Sequence, residues 1–248
     1  MSSINLRQTG WLPNYHGGWA MISLPPLLGL CYSGFVPAHI LLLVSWFAAY
    51  FLFFALVGFL RHNYATRYRP AIITYGILTT LTGSILLLMR PLLIAWFIPL
   101  FLLSIFTLYQ AKIGKERSLL SGMATVLFAS LMLPIAYQVK NTDLPIYIIW
   151  LTIIVFMYFA GTVFYVKTNI RERKSLKYFC FSIGFHIISL MIVFIYHHTH
   201  YFLIILWILL LFRAILVPSF IRKGKNISIK TIGILEIVLS VLLFIALL

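Results

Sequence analysis

Nine apolar stretches, each near the length that crosses a bilayer, follow one another with only short polar connections between them. They lie at about 18–35, 39–60, 71–89, 92–110, 119–138, 145–166, 178–196, 201–219 and 231–248. A spanning helix needs roughly 20 mainly apolar residues, and the shorter stretches are tolerable inside a bundle. The connections leave no room for an extramembrane domain. The chain is therefore predicted to be all-α: one polytopic membrane helix bundle over residues 1–248, with about nine transmembrane helices. Composition points the same way. At 62% apolar and 9% charged residues, with a mean hydropathy of +1.04, the chain lacks the polar surface of a soluble domain.

The net charge of +15 raises nucleic acid as a partner, but no basic helix or stacking platform accompanies it, so no nucleic acid is expected. The cations sit instead in loops. Those after the second, fourth, sixth and eighth stretches hold Arg61, Arg67 and Arg69; Lys112, Lys115 and Arg117; Lys167, Arg171, Arg173, Lys174 and Lys177; and Arg222, Lys223, Lys225 and Lys230. The alternate loops hold Arg90 and Lys140. Basic residues mark the cytoplasmic side, so the N terminus is expected inside and the C terminus outside. The expected location is a bacterial cytoplasmic membrane.

Met1 to Tyr15 is polar and is not expected to be a cleaved signal. Trp11, Tyr15 and Trp19 suit the headgroup zone, where a ring keeps a polar edge wet. A second reading of Pro13-Asn14-Tyr15-His16-Gly17-Gly18-Trp19 is a ligand site, because two glycines beside a histidine allow close approach. Pro25-Pro26 removes two backbone donors, and the first helix is expected to kink or break there. Cys31 and Cys180, inside apolar runs, are expected to be packing residues, not a disulfide. His197, His198 and His200 read as solvated loop histidines, since no acid or cysteine stands near to complete a metal site. Asn226-Ile227-Ser228 has the spacing of a glycosylation acceptor but falls on the cytoplasmic side.

Two polar islands carry what chemistry the sequence shows. The first runs from Arg61 to Pro70, the second from Tyr165 to Lys177; the second holds five of the nineteen Lys and Arg and one of only four acids. If the sixth helix continues through its island, Lys167, Arg171 and Lys174 share a face, and Asn169 and Arg173 share another. Arg61, Asn63, Arg67, Arg69, Lys167, Asn169, Arg171 and Arg173 are the anion-binding candidates, because guanidinium groups and amides hold phosphate or carboxylate. His16, Trp19, Tyr64 and Glu172 are pocket candidates. The competing reading is positive-inside charge against anionic lipid headgroups, without specificity. Paired carboxylates, a P-loop and a nucleophile elbow are all missing, so no metal and no cofactor is expected.

The string His16-Gly17-Gly18-Trp19-Ala20-Met21 with Pro25-Pro26, followed by the two islands, resembles the bacterial YwiC-like family of membrane proteins over essentially the whole chain. The architecture also resembles the UbiA prenyltransferase superfamily: nine helices, N terminus inside, polar motifs after helices two and six. That likeness implies Asp-rich motifs holding a prenyl diphosphate through Mg²⁺. Here the corresponding stretches read Asn63-Tyr64-Ala65-Thr66-Arg67 and Asn169-Ile170-Arg171-Glu172-Arg173. Carboxylates give way to cations, which inverts the sign of the pocket. Ordinary Mg²⁺-dependent prenyl transfer is not expected. The expected function is binding of a lipid or isoprenoid-like molecule with an anionic head in a cytoplasm-facing cationic pocket between the islands. The alternatives are a transporter or accessory subunit for a small anionic compound, with Pro25-Pro26 or Pro134 breaking a helix, and a transferase with altered chemistry.

One ion pair is predicted inside the bilayer. Arg213 lies about six residues before the cytoplasmic end of its stretch and Glu236 about five residues into the next. At 1.5 Å per residue both are roughly 8–9 Å deep, on consecutive antiparallel helices. Pairing keeps both charges where either alone is costly.

Overall fold

The computed structural model describes residues 9–13, 18–62, 65–196, 200–225 and 227–248, and among them no strand occurs. Ten α-helices follow in chain order: α1 (Gly18–Ser33), α2 (Ala38–Arg61), α3 (Arg69–Met89), α4 (Phe97–Lys112), α5 (Leu119–Ser130), α6 (Met132–Gln138), α7 (Ile146–Ile170), α8 (Leu176–Tyr196), α9 (Tyr201–Arg222) and α10 (Ile229–Leu247). Short 3-10 turns, Thr66–Tyr68 and Pro91–Trp96, lead into α3 and α4. All nine apolar stretches are helical. Eight helical spans among the described residues are long and apolar enough to cross a membrane, α5 and α6 together forming one. The ninth, α1, has 16 residues, about 24 Å at 1.5 Å per residue.

The apolar side chains left outside explain the setting. Along α3, Ile73, Ile77, Leu81 and Leu88 are 58–82% exposed, at helical spacing on one face. Water would strip such a ridge of any stability, whereas hydrocarbon solvates it. This is a multi-pass membrane protein.

The chain divides into two compact units, Met1–Ile149 and Trp150–Leu248. In the first, α2 packs along α3, and α1 packs on α6. Ile22, Leu42, Trp46, Leu86, Met132, Ile135 and Val139 share its apolar centre. Gly29 sets the α1–α6 distance: a Cβ there would lie 2.2 Å from the Leu133 carbonyl oxygen.

Prolines act differently at two places. α1 runs unbroken through Pro25 and Pro26, so of the expected kink or break, the break does not occur. Pro26 cannot donate to the Ile22 carbonyl, but the Trp46 indole N–H does so instead, at 2.8 Å. A tertiary donor from α2 replaces the missing helical one. Pro134 has the opposite effect. It cannot donate to Ser130, and the helix is interrupted at Leu131, between α5 and α6.

In the second unit, α9 packs against α8 and α10. Ring contacts tie α7 to α8: Trp150 stacks on Tyr196 at 4.2 Å between centroids, and Phe164 meets Phe185 at 5.1 Å. Hydroxyls and one carboxylate tie α7 to α10, as described below. Cys31 and Cys180 are free and exposed. The expected packing role fails because each sits on an outward helix face, where a bilayer accepts a small apolar group.

Candidate functional site

The second island does not continue as a helix. α7 ends at Ile170, and Arg171 and Glu172 both donate their backbone N–H to the Lys167 carbonyl, at 3.0 and 2.9 Å. Ser175 then accepts from the Tyr178 N–H at 3.3 Å, the bond of an N-cap, and α8 begins. The expected face of Lys167, Arg171 and Lys174 is therefore not formed. A chain that leaves the helix after Ile170 loses the i, i+4, i+7 alignment.

What forms is a turn with a capped end. Arg173 Nε donates to the Asn169 carbonyl at 2.6 Å, filling one of the acceptors a helix C terminus leaves open. Asn169 is fully buried and donates Nδ2 to the Tyr165 carbonyl at 2.9 Å. Lys167 Nζ lies 5.6 Å from the Tyr178 ring centroid. Arg171 is exposed and Glu172 half-buried.

Arg173 and Lys174 instead line a cleft with Ile221, Arg222, Gly224 and Lys225, of about 450 Å³. The end of α9 makes this possible. Gly224 adopts φ +89°, a left-handed value that favours glycine, and the Lys225 N–H turns back to the Phe220 carbonyl at 3.1 Å. This helix ending swings Lys225 back beside Arg222. Two of the cations rest on rings: Arg222 is 4.7 Å from the Phe179 centroid and Lys225 is 4.8 Å from that of Phe220. From sequence alone, Arg222 and Lys225 stand only as orientation charges.

The first island is mostly committed to its own fold. Arg61 pairs with Glu116 at 3.2 Å, and Arg117 approaches the same carboxylate oxygen at 3.6 Å. Arg67 lies 5.1 Å from the Tyr68 ring centroid and donates to its hydroxyl at 3.4 Å. Tyr68 is 5% exposed, and its hydroxyl sits 3.3 Å from His62 Nδ1. Arg69 is exposed at the start of α3. Trp19 makes edge contacts with Tyr50 and Phe51 of α2. Asn63, Tyr64, His16, His197 and His198 lie outside the described residues, as does Asn226 of the glycosylation-like triplet.

A second polar centre lies deeper in the second unit, and here the structure brings Arg213 and Glu236 together. Arg213 Nη1 donates to Glu236 Oε1, while the other oxygen accepts from the Thr162 hydroxyl at 2.9 Å. The two residues are each 6% exposed. The guanidinium carbon stands 4.1 Å from the Tyr165 ring centroid. One turn away on α10, Ser240 shares a 3.0 Å hydrogen bond with the Tyr158 hydroxyl. Four α7 residues thus face inward at i, i+4, i+7 and i+11: Tyr158, Thr162, Tyr165 and Asn169. That helical spacing of polar side chains on a mainly apolar helix is a signal in the sequence for Tyr158, Thr162 and Tyr165.

Comparison with known proteins agrees with the sequence likeness. Over 92% of its length the chain is 32% identical to an uncharacterised protein YwiC of Bacillus subtilis, spanning 92% of that relative. The model of the YwiC-like protein family matches residues 12–137. The chain belongs to the YwiC-like family. A second member-like relative, an uncharacterised protein of Haemophilus influenzae, is 25% identical over 96% of the chain and 97% of its own length. No solved structure matches. At 96% and 92% of the chain, both alignments extend beyond the segment matched by the family model and take in the residues of the cleft.

Among the described residues no three His, Cys, Asp or Glu side chains gather as a metal site would require. What the YwiC-like chain offers is cationic and donor-rich. Its chemistry suits recognition of oxygen acceptors.

Proposed function

We propose that this YwiC-like protein binds the anionic head of a lipid or isoprenoid-like molecule in a cytoplasm-facing cleft of the second unit, within a bacterial cell membrane. The observation that carries the reading is the convergence of Arg173, Lys174, Arg222 and Lys225 on one cleft of about 450 Å³ whose lining includes no acid. Orientation charges need only lie on one side of the bilayer; they have no reason to converge. Guanidinium and ammonium groups set around a common space hold a phosphate by charge-assisted hydrogen bonds. Phe212, Leu216 and Phe220 are 40–57% exposed at i, i+4 and i+8 on α9. They offer an apolar track for a tail leading away from the cleft.

Compared with the pocket expected from sequence, Arg222 and Lys225 enter the site. Lys167 and Asn169 are turned to α8 and to the α7 backbone. The test is lipid binding to the purified full chain, comparing phosphatidic acid with phosphatidylcholine of the same acyl chains. Lys174→Ala and Arg222→Ala should each weaken phosphatidic acid about tenfold to a hundredfold, at roughly 1.5–3 kcal/mol per charged contact. Equal binding of the two lipids, or no change in the two variants, overturns the cleft.

A further inference from the structure

About 13 Å further into the bilayer than Arg222, at nine residues of 1.5 Å along α9, Arg213 is only partly used. Nη1 holds Glu236, but Nε and Nη2 have no hydrogen-bond partner among the described residues. These two nitrogens share one edge of the guanidinium, the edge that grips oxygen acceptors side-on. Among the described residues the Tyr165 hydroxyl also has no hydrogen-bond partner, and its ring is stacked on the same guanidinium. Arg213 is 6% and Tyr165 0% exposed. Two touching, buried residues therefore both carry donors without a hydrogen-bond partner among the described residues. Buried donors are nearly always satisfied, and a charged one left alone is the most costly kind.

The charge of the site selects the acceptor. Arg213 and Glu236 together are neutral, so an anion on the open edge would bring a net negative charge into low dielectric, against a large desolvation penalty. A carbonyl oxygen supplies the lone pairs without that charge. We propose that the Nε–Nη2 edge of Arg213, with the Tyr165 hydroxyl, binds the carbonyl of an uncharged, membrane-soluble molecule. The interaction is separate from the anionic cleft: its ligand enters from the bilayer and needs no phosphate.

The test uses the full chain in lipid nanodiscs with 1,2-dioctanoylglycerol, uncharged and bearing two ester carbonyls, against its ether analogue 1,2-dioctylglycerol, which has none. The ester should bind at least tenfold more tightly, and its ¹³C-labelled carbonyl band should shift to lower frequency. Arg213→Lys keeps the charge toward Glu236 but loses the planar edge, and should remove the preference. Tyr165→Phe keeps the ring stack, so the fold survives, and should weaken the ester several-fold. Arg222→Ala should leave ester binding unchanged, which separates this site from the cleft. Equal binding of ester and ether, or full ester binding in Tyr165→Phe, overturns the proposal. So does octanoate binding more tightly than the ester through Arg213, which would make the edge an anion site.

Discussion

His39 in the first unit and His186 in the second are equally hidden, at 0% and 2% exposure, but their surroundings differ. His39 accepts the Val36 N–H on Nδ1 at 3.0 Å, and its Nε2 lies 2.9 Å from the Ala136 carbonyl, to which it donates. Ala136 is near the end of α6, where carbonyls lose their helical partners. The ring thus fastens the start of α2 to the end of the broken α5–α6 span. His186 spends Nδ1–H on the Ser182 carbonyl of its own helix, at 2.6 Å, and Nε2 has no partner among the described residues. That nitrogen rests against Gly161, where a Cβ would come within 3.1 Å. Burial alone does not say what a histidine does. The inventory of its partners does: one is a tertiary clamp, the other a local contact that binds nothing across the bundle.

Two substitutions sharpen that contrast. His39→Leu should cost the first unit about 1–3 kcal/mol, because it orphans the Val36 backbone N–H and takes one of two donors from the Ala136 carbonyl, which keeps the Val139 N–H at 3.3 Å. Reversible unfolding in mixed micelles measures it, and a loss under about 1 kcal/mol would break the comparison. His186→Leu should change stability by no more than about 1 kcal/mol. The Ser182 carbonyl keeps its helical partner, and an unsatisfied nitrogen is removed. A loss as large as that at His39 would show that His186 is a clamp too.

The helices were legible because a length of apolar residues is all a bilayer demands, and eight of the nine stretches meet that demand among the described residues. The details that escaped belong to tertiary contacts. Nothing near Pro25-Pro26 in sequence announces that Trp46, twenty residues on, will donate to the freed carbonyl. The cleft escaped for another reason: Arg222 and Lys225 carry the same charge as any cytoplasmic loop, and only the turn at Gly224 brings them beside Arg173 and Lys174. The buried pair was readable, since Arg213 and Glu236 fall at equal depth on consecutive helices. Its supports on α7 were readable in principle, from the polar spacing of Tyr158, Thr162 and Tyr165. Arg61 pairing with Glu116 was not, because one ends α2 and the other lies in a loop fifty-five residues on.

The second unit is held around a charged centre inside the bilayer, and a double-mutant cycle at Arg213 and Glu236 tests that arrangement directly. Glu236→Ala leaves a buried guanidinium without its counter-charge, and breaking a buried pair from one side costs about 3–5 kcal/mol. Adding Arg213→Leu should recover part of that loss, with a coupling energy of about 0.5–3 kcal/mol between the two positions. Strictly additive losses in unfolding free energy would contradict the pairing on which the second unit is built.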